Sequence, residues 1–212
     1  LTDRVQNGRA IADGRAIARE EAGRADALVV LGGDGSLFEV VNGVMDTPHR
    51  PLLAQIPVGT GNSYIKDLGL ENAEDGVSAV LGGKTRRVDL GRVAHGGGEF
   101  HFINLTGAGF VARVARLAHR FKFLGSLSYS LAVLLLLPPL KSGRLELTAD
   151  GVPSARDALF VEICNSRKTG GDMIMAPDAQ VDDGLFDVVV AKAMGRLEVL
   201  ALFPKIFSGR HV

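Results

Sequence analysis

The residues best suited to chemistry are Gly32-Gly33-Asp34-Gly35-Ser36, set directly between the apolar run Ala27 to Leu31 and a segment patterned as a helix from Ser36 to about Met45. Glycines at a strand-to-helix turn let backbone N–H groups face a phosphate at close range, and the helix N-terminus adds about half a positive charge. Ser36 and Glu39 have the S-x-x-E spacing of a capping box. Asp34 is the odd member. Its charge opposes an anion unless it handles a proton or a metal, so it is the candidate catalytic group. The plainer alternative is a turn followed by a cap.

A second constellation, Pro57-Val58-Gly59-Thr60-Gly61-Asn62-Ser63, also follows an apolar strand-like run (Leu52 to Val58) and precedes a short helix over about 63–68. Alone, Gly-Thr-Gly-Asn is a tight turn. Two glycine loops at the same end of neighbouring parallel strands would converge on one crevice, where open α/β sheets bind ligands.

The elements that must position these loops follow from periodicity. Residues 8–22 read as a helix in which Gly-Arg-Ala-Ile-Ala occurs twice, at 8–12 and 14–18. Strand, glycine loop and helix then follow twice, which argues for a parallel α/β sheet. After about residue 86 the pattern changes. Arg87 to Val93 and Phe100 to Leu105 read as a hairpin, Val111 to Leu137 as helical, and Arg144 to Ala149, Ala158 to Asn165 and Leu185 to Ala191 as strands. The last strand follows an Asp-Gly turn at 183–184, and Leu197 to Phe207 reads as a final helix. The expected domains are therefore 1–88, α/β, and 89–212, β-rich.

Composition narrows the function classes. The 24 basic and 24 acidic residues cancel and form no basic run, which argues against a nucleic-acid partner. Cys164 is the only cysteine, so no intrachain disulfide can form and a reducing, cytosolic compartment is expected. No signal peptide is expected ahead of the first helix. The longest apolar run, Leu131 to Leu137, is seven residues against the roughly 20 that a membrane span needs. Among the five histidines, His49, His95 and His119 are expected at the surface and His211 at a joint between domains. Met173 and Met175 are expected in the core.

Taken together, GGDGSLFEVVNGVM and PVGTGNSYIKDLGL resemble the catalytic domain of the diacylglycerol, sphingosine and ceramide kinase superfamily. Residues 23–45 look most like a sphingosine kinase. Residues 170–191 and the closing Ser-Gly-Arg-His-Val look more like the soluble bacterial diacylglycerol kinases. The resemblance implies a Rossmann-like nucleotide-binding α/β domain followed by a β-sandwich domain that binds the lipid, with ATP in the cleft between them and Mg2+ on its phosphates. It implies nucleotide contacts at Gly32, Gly33, Gly35, Ser36, Glu39, Gly59, Thr60, Gly61 and Asn62, and a catalytic role for Asp34. Thr2 matches a threonine at the nucleotide edge, and Lys122 falls where sphingosine kinases carry a phosphate-binding arginine. Asp183, with the backbone carbonyls of Gln180 and Leu185, matches a metal site of the bacterial enzymes. Read from its residues alone, Asp182-Asp183-Gly184 is equally a hairpin turn.

Departures from the family pattern refine these expectations. Sphingosine kinases hold the substrate's amine with acidic residues after a Gly-Phe-x-Ala motif. Here Gly109-Phe110-Val111-Ala112 is followed by Arg113 and Ala115, which points to a neutral lipid such as diacylglycerol. The Asn-Pro-x-x-Gly loop and the Asp-Gly-Glu that family members carry near their two ends are not in this sequence, so either a fragment or a degenerate form is expected. The leading expectation is transfer of the ATP γ-phosphate to the hydroxyl of a neutral lipid presented at a membrane surface. A cytoplasmic, peripherally membrane-associated enzyme without a transmembrane segment follows, with a homodimer left open. The alternatives are a sphingosine- or ceramide-type kinase and, in another class, a catalytically incomplete lipid- or nucleotide-binding module. NAD kinase shares Gly-Gly-Asp-Gly but not the second loop. The apolar helix Leu127 to Leu137 is expected either as plain core or as the lining of an acyl pocket.

Overall fold

A computed structural model describes residues 13–125 and 127–212, with only the backbone described at Lys122. Thr2 and the first Gly-Arg-Ala-Ile-Ala copy lie outside the described residues. By its contacts the chain divides into Leu1–Ile103 and Asn104–Val212, later than the boundary near residue 88 read from sequence.

In the first unit, α1 (Asp13–Glu21) precedes β1 (Ala27–Gly32), α2 (Asp34–Met45), β2 (Leu52–Pro57), α3 (Ser63–Asp67) and α4 (Ala73–Gly82). The expected parallel pairing is present: β1 and β2 run in register from Ala27 opposite Leu52 to Gly32 opposite Pro57. Both strands therefore end at the same level, and their glycine loops leave side by side. Helix α1 crosses α2 closely because Gly43 has no side chain; a Cβ there would collide with the Arg15 carbonyl. Ala18, Ala22 and Val44 are buried at this crossing. Arg15 grips Asp46 through two hydrogen bonds of 2.7 Å, and this guanidinium holds the Asp46 carboxyl below the usual carboxylate range.

Helix α4 was not expected from the sequence, although its start is encoded locally. Asn72 Oδ1 accepts the Asp75 N–H at 2.9 Å, and Asp75 accepts the Asn72 N–H at 3.3 Å, a reciprocal capping box. The helix ends on Gly83 at φ 64°. Gly76 faces β2, where a Cβ would come within 2.8 Å of Pro57.

The hairpin comprises β3 (Gly91–His95) and β4 (Gly98–Phe102), and it belongs to the first unit. One residue ties it there. Asn42, 1 % exposed, donates to the Phe38 and His101 carbonyls at 2.9 Å each and accepts the His101 N–H at 2.8 Å. That bond pattern explains why this hairpin goes with α2.

The second unit begins with β5 (Leu105–Gly109), α5 (Phe110–Arg120), a 3-10 turn (Lys122–Leu124) and α6 (Leu127–Leu136). Strands β6 (Gly143–Ala149), β7 (Val152–Cys164), β8 (Lys168–Thr169), β9 (Met173–Ile174) and β10 (Asp187–Lys192) follow, then α7 (Arg196–Leu202) and a 3-10 segment Phe203–Ser208. The 13-residue β7 organises an antiparallel sheet. Its first half pairs with β6, and its second half lies between β5 and β10. The helical stretch expected over 111–137 is two helices, parted near Gly125 at φ 61°. Phe110, Val114 and Ala118, spaced for one helix face, meet Ala132, Val133 and Leu137 in the core. Met173 and Met175 are buried, as expected.

Candidate functional site

The two glycine loops touch. A Cβ on Gly59 would lie 2.6 Å from the Gly33 Cα, and one on Gly33 would lie 3.2 Å from the Gly59 Cα. Neither position tolerates a side chain without backbone movement, so glycine is required here for proximity and not for a positive φ. The convergence expected from the two motifs is thus present in the folded unit.

Helix α2 starts at Asp34, two residues earlier than the sequence suggested, with Gly33 as its N-cap in extended backbone. Ser36 consequently sits inside the first turn, and its expected capping box with Glu39 is absent. The Ser36 hydroxyl instead lies over Gly32, where a Cβ would collide with it. Glu39 turns toward α1: Gly14 lies against its Cβ, Arg15 feels its charge, and its Oε2 is buried without a hydrogen-bond partner.

Asp34 is placed differently from a solvent-facing base. Its Oδ2 accepts the Ser63 N–H at 2.9 Å, and its Oδ1 accepts the Tyr64 N–H at 3.0 Å. The first residue of α2 therefore caps the first turn of α3 and locks the second loop to the first. Asn62 closes that loop upon itself. It adopts φ 55°, accepts the Gly59 N–H at 3.1 Å and donates to the Gly59 carbonyl at 2.8 Å. Gln55 steadies the other side by donating to the Gly32 carbonyl at 3.0 Å. Sequence reading missed Gln55; a buried polar residue in an otherwise apolar strand was the available signal. Thr60 is exposed and Gly61 half-buried at the loop tip, and Gly35 has open space around it.

The remaining expected residues lie in the second unit. Gln180, Asp183 and Leu185 are exposed in the loop before β10, and Asp183 Oδ1 accepts the Leu185 N–H at 3.0 Å, so the Asp-Gly turn is present. Among the described residues no group of three or more His, Cys, Asp or Glu side chains is arranged to hold a metal ion. His211 Nε2 bonds the Met175 carbonyl at 3.1 Å within this unit.

The same unit contains a cavity of about 860 Å3, walled mainly by apolar side chains of α5, α6, β5, β7 and β10. From α5 the wall is formed by Phe110, Val111, Ala112, Val114 and Ala115. The Arg113 guanidinium donates to the Pro139 carbonyl at 3.4 Å. Arg113 is not among the residues that line the cavity. Of α6, Tyr129 and Val133 reach the cavity, while Leu127, Leu134 and Leu135 are exposed. No helix among the described residues is long and apolar enough to cross a membrane.

Residues 3–93 match the family described as the diacylglycerol kinase catalytic domain, and residues 104–212 match the YegS C-terminal NAD kinase beta sandwich-like domain. The chain is 32 % identical over 200 residues to a diacylglycerol kinase of Bacillus subtilis (strain 168), covering 92 % of this chain and 65 % of that protein. It is 34 % identical over 201 residues to a diacylglycerol kinase of Mycobacterium tuberculosis (strain ATCC 25618 / H37Rv), covering 92 % and 64 %. A solved structure of a diacylglycerol kinase from Bacillus anthracis str. Sterne superposes with a TM-score of 0.71 at 26 % identity, covering 92 % of this chain and 62 % of that one. The chain thus spans slightly less than two thirds of the length of these relatives.

Proposed function

The chain belongs to the family described as the YegS C-terminal NAD kinase beta sandwich-like domain, and from that premise, with the match of residues 3–93 to the diacylglycerol kinase catalytic domain, we propose that it carries the core of a lipid kinase transferring the ATP γ-phosphate to the hydroxyl of a neutral lipid such as diacylglycerol. The observation that carries this reading is the braced loop pair: Gly33 against Gly59, with Asp34 binding the N–H groups of Ser63 and Tyr64. Such bracing holds the N-terminus of the 12-residue α2 in one orientation, where its first-turn N–H groups have no acceptor within the helix. Phosphoryl transfer asks for little covalent chemistry from protein; positioning and charge stabilisation supply most of the rate. In this reading Gly32, Gly33, Gly35 and Ser36 hold phosphate oxygens from one side, and Gly59, Thr60, Gly61 and Asn62 from the other. Asp34 positions the second loop, a structural use of the charge that the sequence assigned to proton transfer.

Magnesium fits the oxygen chemistry of the Asp183 carboxylate and the Gln180 and Leu185 carbonyls, since hard cations take such ligands. A magnesium ion carried in with ATP would separately supply charge neutralisation on the phosphates. The lipid is met at a membrane surface by a cytoplasmic protein associating peripherally.

Two measurements on the complete gene product test the proposal. Calorimetry with Mg-ATP should show binding, and radiolabelled ATP should label diacylglycerol in mixed micelles faster than sphingosine. A folded protein with no ATP binding at millimolar nucleotide would remove the kinase reading.

A further inference from the structure

Glu162 lies in mid-sheet on β7, opposite Gly107 of β5 on one side and Val189 of β10 on the other. It is 4 % exposed, its Oε2 has no hydrogen-bond partner, and its side chain lines the cavity of the second unit. Folded proteins rarely leave a buried carboxylate oxygen unpaired, because the group loses its water without a replacement. An acidic group at the centre of an apolar sheet face does nothing for packing that a leucine would not do better. Burial pushes its carboxyl up to about 7, so near neutrality much of it carries a proton and can both donate and accept.

The rest of the cavity defines what could meet that group. Val111, Val133, Leu159, Met175 and Phe203 give it apolar walls, and its volume of about 860 Å3 is within the range of small-molecule sites. The other titratable side chains on the wall are Tyr129, Asp178, Asp187, Lys192 and His211. Burial and the neighbouring carboxylates Asp183 and Asp178 push the Asp187 carboxyl up as well, so the local field is negative. Because the Met175 carbonyl can only accept, His211 Nε2 donates to it. The neutral ring is then left with Nδ1 as an acceptor, buried and unpaired.

Resting on the lipid-kinase reading, we propose that Glu162 is the polar anchor of this cavity: its carboxyl group hydrogen-bonds an oxygen of an uncharged amphiphile whose acyl part fills the apolar walls. A hydroxyl or ester oxygen satisfies a carboxyl group that both donates and accepts. A fatty-acid anion would face the carboxylates of Asp178 and Asp187 and is disfavoured. Glu162 is thus a specificity-determining residue for a glyceride-like ligand.

The test uses the complete gene product without ATP, so that binding is read separately from transfer. Equilibrium dialysis of radiolabelled dioctanoylglycerol is compared with octanoate and with dodecylamine, for the unaltered protein, Glu162→Gln and Glu162→Leu. Dioctanoylglycerol should bind best. Glu162→Gln, which keeps a donor and an acceptor, should hold it within about threefold, whereas Glu162→Leu should weaken it about tenfold or more at an undiminished melting temperature. Undiminished binding by folded Glu162→Leu, or no binding by the unaltered protein, overturns the anchor. Tighter binding of dodecylamine that disappears in Glu162→Gln overturns it too, by making Glu162 a counter-charge for an amine. A parallel ATP assay keeps the two ideas separable. Glu162-dependent binding without phosphorylation would sink the kinase reading alone, and phosphorylation indifferent to Glu162→Leu would sink the anchor alone.

Discussion

The carboxylate of Asp34 accepts the backbone N–H of Ser63 at 2.9 Å, joining the first residue of one helix to the first residue of another. Helix α3 is five residues long and makes no side-chain cap of its own, because Asn62 spends its amide on Gly59. Asp34 supplies that missing cap from across the crevice, and the geometry of the second loop follows from the position of the first.

Asp34→Asn should therefore damage the fold of the site as well as the reaction. An amide presents one acceptor and one donor to two N–H groups, so one hydrogen bond is lost and a donor faces a donor. Hydrogen bonds to charged groups contribute about 1.5–3 kcal/mol. Urea unfolding should show a loss of that order, and calorimetry should show weaker ATP binding alongside reduced turnover. Lost turnover with stability and ATP affinity both intact would restore Asp34 to a proton-transfer role.

Two glycines in the same loops should respond in opposite ways. In Gly59→Ala the new Cβ would stand 2.6 Å from the Gly33 Cα and 2.8 Å from Asn62 Oδ1, so the backbone must separate and nucleotide binding should be lost. Gly35 has no heavy atom within 4 Å of a Cβ, and it lies in the first turn of α2. Alanine there should raise the melting temperature slightly, since alanine exceeds glycine by up to about 1 kcal/mol in helices. Thermal melts and ATP titrations of the two variants check this, and equal damage from both would show that contact between the loops is not what the glycines are for.

Much of this site was legible because strand, glycine loop and helix follow one another locally, and periodicity reports local order. The parallel pairing of β1 with β2 and the convergence of the loops followed from that repetition. The partners of individual side chains were not legible. Ser36 and Glu39 have capping-box spacing, yet the helix begins at Asp34 because Asp34 has a better acceptor role toward Ser63 and Tyr64, residues far away in sequence. Strand β5, Leu105–Gly109, escaped notice because its small residues carry no apolar alternation. They are small because β7 lies so close: a Cβ on Gly109 would be 2.6 Å from the Leu159 carbonyl oxygen. Glu162 went unnoticed for a similar reason, since a single acid in a strand looks solvent-facing until both neighbouring strands are placed.

Asn42 should prove more important to the first unit than any glycine loop residue. Asn42→Ala would remove three hydrogen bonds, leave the His101 N–H and carbonyl unpaired, and open a void at a site 1 % exposed. A cost of about 2–4 kcal/mol is expected from the lost bonds and the unsatisfied groups. Asn42→Asp should be worse, because it sets carboxylate oxygens against the Phe38 and His101 carbonyls. Denaturant unfolding measures both, and hydrogen exchange in Gly91–Phe102 should rise in step. A loss below about 0.5 kcal/mol, the usual range of surface substitutions, would mean that the hairpin is held by other contacts.

Glu162 makes stability depend on pH in a direction that can be derived. Burial raises its carboxyl from 4.5 to about 7. Between those values the folded protein keeps a proton that the unfolded chain has released. The folded state binds more protons there, so stability falls as pH rises through this window and levels off above it. Below the unfolded value both states are protonated and the penalty is absent. The full difference corresponds to about 3 kcal/mol at about 1.4 kcal/mol per unit. Asp187, also raised by burial, tilts the curve the same way, so the informative quantity is the difference between the unaltered protein and Glu162→Gln. Glutamine has the same shape and does not ionise. Urea unfolding from about pH 4.5 to about pH 8 should show the variant gaining on the unaltered protein as pH rises, with most of the gain complete near neutrality. A constant difference across that range would mean that Glu162 ionises as readily in the folded protein as in the unfolded chain, and that the sheet interior around it is wetter than its burial implies.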